Sequence, residues 1–190
     1  MKALKEKIQK EAYALTGNII KVDNFLNHQI DPAFLKEIGA EFKNRFSDSK
    51  INKIITIEAS GIAIALSVAN QFNDCPVVFA KKTTSANMNS SVYQSEVRSY
   101  TRKNTYIATI AKEYLNKDDI VLIVDDFLAE GDALFGLIDI VKQSKAQLIG
   151  CGIVIEKGFQ NGGKRIRDLG IRLESLAIIE SVHDMKIKLK

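Results

Sequence analysis

Two periods of hydrophobic and polar residues run along this chain. Leu4, Ile8, Ala12 and Leu15 fall on one helical face with charges opposite, so residues 2–15 are predicted as an amphipathic helix ended by Thr16-Gly17-Asn18. Ile19, Ile20 and Val22 make a short extended piece. Asp31-Pro32 is a helix start, with aspartate as N-cap and proline in the first turn; Leu35, Ile38, Phe42 and Phe46 supply that helix's buried stripe. Strands are predicted at 53–57, 76–80, 91–99, 105–110, 147–155 and 172–179, with helices at 62–69 and 164–169. The polar stretch 83–91 has no apolar period, and a loop of that length inside a compact domain is usually functional or mobile.

One stretch organises the rest. Val121-Leu122-Ile123-Val124 is continuously apolar and mostly β-branched, the signature of a strand buried on both faces, and Asp125-Asp126 follow at its carboxyl end. A short loop then reaches Gly131, where Ala133, Leu134, Leu137, Ile138 and Val141 begin a helical period. Ligands of open α/β sheets bind beyond the carboxyl ends of strands, and helix N-termini hold phosphate. Carboxylates for hydroxyls and backbone amides for a phosphate therefore stand close together, which suits a phosphorylated sugar. The recurring order of strand, loop and helix predicts an α/β fold, a central parallel sheet flanked by helices. The segments 1–31 and 157–190 stand outside that alternation. They are expected to form a small hood over a core of about 33–155, all in a single domain of 190 residues.

Charge and cysteine content narrow the classes without choosing among them. The net charge of +4 is spread along the chain, which suits an anionic ligand weakly and is not a nucleic-acid footprint. Cys75 and Cys151 lie far apart with no metal-ligand spacing, so both are expected to be buried, reduced thiols. No signal peptide is visible and no apolar run is long enough to span a membrane, so a cytoplasmic protein without membrane contact is expected.

The strand, the acidic pair, three variable residues and the small-residue loop around Gly131 resemble the 5-phosphoribosyl 1-pyrophosphate (PRPP) motif of type I phosphoribosyltransferases. The resemblance implies that Asp125 and Asp126 accept hydrogen bonds from the ribose 2- and 3-hydroxyls, since ionised carboxylates only accept and vicinal hydroxyls are paired donors. Ala129, Glu130, Gly131, Asp132 and Ala133 match the loop that wraps the 5-phosphate with backbone amides. Hydroxyl or amide side chains are common in that loop, whereas Glu130 and Asp132 are acidic and repel a phosphate unless they point away. Ala59, Ser60 and Gly61 fall where the family carries its pyrophosphate loop, and Gly61 permits close backbone approach. Lys81 and Lys82 end the next strand, either reaching pyrophosphate oxygens or simply solvated. Residues 83–102 resemble the family's catalytic lid, with Arg98, Arg102 and Lys103 as candidates for its charge.

Phe25-Leu26-Asn27-His28-Gln29-Ile30-Asp31 and Gly152-Ile153-Val154-Ile155-Glu156-Lys157 extend the resemblance over nearly the whole chain, to the bacterial branch that uses xanthine. That resemblance implies base contacts from Ile20, Asn27 and Lys157. A lysine ammonium offers only donors, so it favours xanthine's 2-oxo group and opposes guanine's amine. Read without the resemblance, Ile20 is an apolar contact, Asn27 a turn residue and Lys157 a surface charge; Phe127 is either core or a stacking surface for a purine. The implied activity joins PRPP to N9 of xanthine, giving xanthosine 5-monophosphate and diphosphate in purine salvage. Mg2+ accompanying PRPP and a homodimer are implied with it. Two other readings share the motif: a guanine, hypoxanthine or adenine phosphoribosyltransferase, and a PRPP-sensing transcriptional regulator. The regulator would need a DNA-binding segment, and no basic recognition helix is visible.

Overall fold

A computed structural model describes residues 1–17, 19–83, 91–99 and 104–190. In chain order the elements are α1 (Lys2–Glu11), β1 (Tyr13–Leu15), β2 (Ile19–Lys21), a π-helical turn (Asp23–Asn27), α2 (Pro32–Arg45), β3 (Lys53–Ile57), α3 (Gly61–Ala69), β4 (Val77–Thr83), β5 (Val92–Ser99), β6 (Asn104–Ala111), β7 (Ile120–Leu128), α4 (Asp132–Ser144), β8 (Gln147–Lys157), α5 (Gly162–Asp168), β9 (Leu173–His183) and β10 (Lys186–Leu189). Among the described residues an eight-stranded sheet runs β10-β9-β8-β7-β3-β4-β6-β5. Its five inner strands, β9 to β4, are parallel, while β10 and the β5–β6 hairpin are antiparallel edges.

The centre of the sheet, at β3, β7 and β8, is buried on both sides, which is why β7 reads as an unbroken apolar run. Leu122 and Val124 face a cluster built with Ile38 and Phe42 of α2 and with Ile64 and Val68 of α3. Val121 and Ile123 face the other cluster, with Leu134, Leu137 and Ile140 of α4. β3 and β7 are neighbours whose following connections leave in opposite directions, to β4 and to β8, so α3 and α4 cover opposite faces. A crevice opens where the two connections diverge, at the carboxyl ends of β3 and β7.

Several predicted boundaries move, each for a physical reason. The helix predicted over 2–15 stops at Glu11, because Tyr13–Leu15 instead pairs with Ile19–Lys21 in an antiparallel hairpin; Gly17, at φ +78°, makes the turn. β4 continues through Lys81 and Lys82, since both pair with β6. β7 does not end before the acidic pair but carries Asp125 and Asp126 inside the strand. α2 begins as expected: Asp31 Oδ1 accepts from Phe34 N at 3.1 Å, with Pro32 in the first turn.

The two ends of the chain meet, with the Met1 ammonium donating to Leu176 O at 2.7 Å and Lys5 Nζ to Lys190 O at 2.5 Å. The C-terminal segment does more than cap, however. β9 pairs in parallel with β8 and so extends the main sheet. The edge strand β10, absent from the predicted elements, folds back through Asp184 and Met185, both at positive φ. Cys151 is buried and its thiol pKa is pushed up to about 12 by that burial, whereas Cys75 is only half-buried, which corrects the expectation for it; both are free thiols.

Close packing sets one test. A Cβ at residue 152 would stand 2.7 Å from Phe42 Cε1 and 2.9 Å from Cδ1, inside the core between β8 and α2. Gly152→Ala should therefore lower stability by about 1–3 kcal/mol, read from the midpoint of urea unfolding.

Candidate active site

The two aspartates are held by the strand that contains them. Asp126 N donates to Asp125 Oδ1 at 3.0 Å, and Phe127 N to Asp126 Oδ1 at 2.9 Å, so each carboxylate is pinned by the next amide. Both side chains are 8% exposed. Burial, and then the neighbouring Asp126 carboxylate, push the Asp125 carboxyl well above its ordinary range, while Lys82 pulls the other way. A buried acid pair with a perturbed carboxyl, at the end of a central strand, is a functional-site candidate.

Around the pair, three backbone segments converge. Gly61 opens α3 directly beneath Asp125: a Cβ there would collide with Thr56 Oγ1 and stand 2.9 Å from Asp125 Oδ1, so only glycine allows the approach. Ser60 is the N-cap of α3 yet makes no capping hydrogen bond with its side chain. The peptide bond Glu58–Ala59 just before it is cis, and Glu58 Oε1 accepts from Lys82 N at 2.5 Å. Opposite, Gly131 at φ +90° turns the chain into α4, whose first turn is open toward a cavity of about 180 Å³. Asp125, Phe127, Leu128 and Ala129–Leu134 line this cavity from one side, with Lys82, Arg98 and Tyr106 from the other.

Such an arrangement can receive a phosphate on the helix N-terminus, hydroxyls on the carboxylates and a second anion near Ser60 and Lys82. A model of the phosphoribosyl transferase domain matches residues 23–188. The chain belongs to the phosphoribosyltransferase family. The enzyme is 56% identical over 190 residues to xanthine phosphoribosyltransferase 1 of Clostridium perfringens, covering all of both chains. It is 53% identical, again over both full lengths, to xanthine phosphoribosyltransferase of Clostridioides difficile. Its fold is shared with an adenine phosphoribosyltransferase of Rhodothermus marinus at a TM-score of 0.76 and 16% identity, over 94% of this chain and all of that one.

The candidate base side gathers on the π-helical turn and the end of β8. Asn27 Nδ2 donates to Asp126 Oδ2 at 3.4 Å, tying the turn Asp23–Asn27 to the acidic pair. Lys157 Nζ stands 5.9 Å from the centre of the Phe127 ring, and burial lowers its pKa below the ordinary lysine value. Ile20 is buried in the core cluster that includes Phe25 and Leu26, against which Phe127 packs. Asn27 is thus linked to Asp126, and Lys157 to Phe127, the next residue along β7.

Not every candidate joins this group. Lys81 faces a separate apolar groove with Val77, Phe79 and Tyr114, and its neighbour Lys82 takes the cavity side. The pairing of β4 with β6 decides this, because Lys82 stands opposite Ala108, on the side of the sheet that also carries Tyr106. Tyr106 was not singled out by the sequence, although Tyr106, Ala108 and Ile110 alternate along β6 and the last two are buried. Its hydroxyl pKa is raised to about 12 by burial and then by the charges of Asp125 and Asp132. Arg102 and Lys103, and most of the stretch 83–91, lie outside the described residues.

Behind Lys157 the buried carboxylate of Glu156 pairs with the exposed Arg167. Glu156 receives Arg167 Nη1 at 2.8 Å and Nη2 at 2.7 Å and also accepts from the Ser175 hydroxyl. Burial would raise its pKa, but Arg167 and Ser175 outweigh it and hold the carboxyl below its ordinary value. Gly163 has no side chain because a Cβ there would collide with Glu156. A depressed pKa gives stability that is present above the unfolded-state value and lost as pH falls through the folded one. Glu156→Gln should therefore cost about 1–2 kcal/mol at neutral pH. That deficit should shrink below about pH 4, as measured by urea unfolding across pH.

Proposed function

We propose that the enzyme transfers the phosphoribosyl group of PRPP to N9 of xanthine, forming xanthosine 5-monophosphate and diphosphate. One observation carries the reading: the hydrogen bond from Asn27 to Asp126, with Phe127 and Lys157 beside it, joins a ribose-binding pair to a purine-binding surface. The full-length similarity to xanthine phosphoribosyltransferases at 50–56% identity supports the choice of base.

In the reaction the N9 lone pair attacks the anomeric carbon as the carbon–oxygen bond to pyrophosphate breaks; pyrophosphate leaves with that electron pair, and the N9 proton passes to water. The sugar passes through a cation-like state. Carboxylates on the ribose hydroxyls favour that positive charge, and the buried strand holds them in place beforehand, so no reorganisation is needed at the moment of transfer. Lys82 and the Ser60–Gly61 turn receive the departing pyrophosphate, and the amides of Ala129–Ala133 hold the 5-phosphate. Phe127 offers a face for the purine. Lys157 donates to an oxo group of the base, and an ammonium, which only donates, opposes a base presenting an amine there. No cluster of three metal-ligating side chains occurs among the described residues. Mg2+ brought with PRPP would neutralise charge on the leaving pyrophosphate and would need few protein ligands.

The apolar groove lined by Val77, Phe79, Val92, Ile110 and Tyr114 suits burial against a second copy, and we propose a homodimer; sedimentation should give twice the chain's mass. The kinship with xanthine phosphoribosyltransferases supports a cytoplasmic location; among the described residues no helix is long and apolar enough to cross a membrane.

Two substitutions test the assignments. Asp126→Asn should reduce turnover about a hundredfold with the fold intact by circular dichroism, since it removes a charge that acts on the cationic sugar. An unchanged rate would remove Asp126 from the ribose. Lys157→Ala should raise KM for xanthine at least about tenfold while KM for PRPP moves little; equal effects on both would refute the base role. Initial rates with xanthine, guanine and hypoxanthine settle the preferred base, and equal rates on guanine and xanthine would sink the argument from Lys157.

A further inference from the structure

The loop that would receive the 5-phosphate carries two acids, Glu130 and Asp132, and Asp132 occupies the first position of α4. A carboxylate there already satisfies the positive end of the helix and competes with any phosphate brought to it. Asp132 lines both the 180 Å³ cavity beside Asp125 and an outer cavity of about 350 Å³, so it stands on the rim between them.

Arg165 of α5 lines only the outer cavity of these two. Its Nη1 lies 3.7 Å from Asp132 Oδ1 and donates to Glu130 O at 2.8 Å. Its guanidinium lies 4.4 Å from the centre of the Phe135 ring, one turn along α4. These contacts are possible because α5 comes against the loop: Gly162 N donates to Ala129 O at 3.1 Å, and a Cβ at Gly162 would collide with that carbonyl. Arg165 therefore touches the loop through its backbone, its acid and the ring behind it.

We infer that Arg165 is the positioning residue that lets this acidic loop accept a phosphate. It neutralises Asp132 from the side away from the ligand and fixes the carbonyl of Glu130, which leaves the amides of the loop facing the cavity. As a surface ion pair it contributes little to folding. Its effect falls on the bound phosphate, where an uncompensated carboxylate would be felt across a few ångströms.

The role rests on the assignment of Ala129–Ala133 to the 5-phosphate, and steady-state kinetics separates the two failures. If the wild-type protein does not turn over xanthine with PRPP, the assignment itself fails. If it does, Arg165→Gln should raise KM for PRPP about tenfold at low ionic strength and leave KM for xanthine within about twofold. The penalty should shrink in added salt, because the pair is half-exposed. Asp132→Asn placed in the Arg165→Gln background should restore KM for PRPP to within about threefold of wild type, since the repulsion is then gone. Arg165→Lys, which keeps the charge, should stay near wild type. Equal changes in both KM values, no change in either, or no recovery on adding Asp132→Asn would overturn the inference.

Discussion

The approach of the α3 N-terminus to the end of β7 is the constraint on which the site depends. Two carboxylates sit inside a strand that is covered on both faces, where unpaired charge is expensive. They are tolerated there because successive backbone amides bond them and because Gly61 lets a helix N-terminus come within contact of Asp125. Thr56, fully buried with an unpartnered hydroxyl, stands at the same point. Any larger residue at 61 would push α3 off the sheet and separate the Ser60–Gly61 turn from the acids. The placement of the acid pair, that turn and the cavity between them is thus one packing decision.

A second layer of contacts trims the electrostatics. Lys82 opposes the buried pair from β4, and Tyr106 closes the cavity from β6. Glu156 and Arg167 fix the end of β8 from behind, and α5, which carries Arg167, also brings Gly162 and Arg165 against the phosphate loop. One short helix therefore connects the base side to the phosphate side. Asn27 makes a comparable link in front, between the π-helical turn and Asp126. The groups proposed to hold base and sugar touch each other, as expected where two reactants must be aligned.

Much of this was legible in the chain. The apolar run 121–124 reads as a doubly covered strand because burial on both faces removes alternation, and Asp31-Pro32 reads as a helix start because capping is local chemistry. The acidic pair, the turn at Gly131 and the helix after it are contiguous, so their joint chemistry could be inferred from order alone. Where local preference competed with pairing, the sequence reading gave way. Residues 13–15 continue a helical pattern, yet they belong to a hairpin, since pairing with β2 and the turn at Gly17 outweigh that period.

The sequence by itself determined the α/β alternation, the carboxylates and the loop that follows them, because each depends on residues close along the chain. Tertiary structure alone decided which lysine faces the cavity, since strand pairing with β6 sets the side on which Lys82 and Lys81 emerge. It also supplied Arg165 as the partner of Asp132, from a helix 33 residues later in the chain. Taken in one dimension, Glu130 and Asp132 look hostile to a phosphate. Charge acts through space rather than along the chain, and the packing of α5 against the loop brings Arg165 to Asp132.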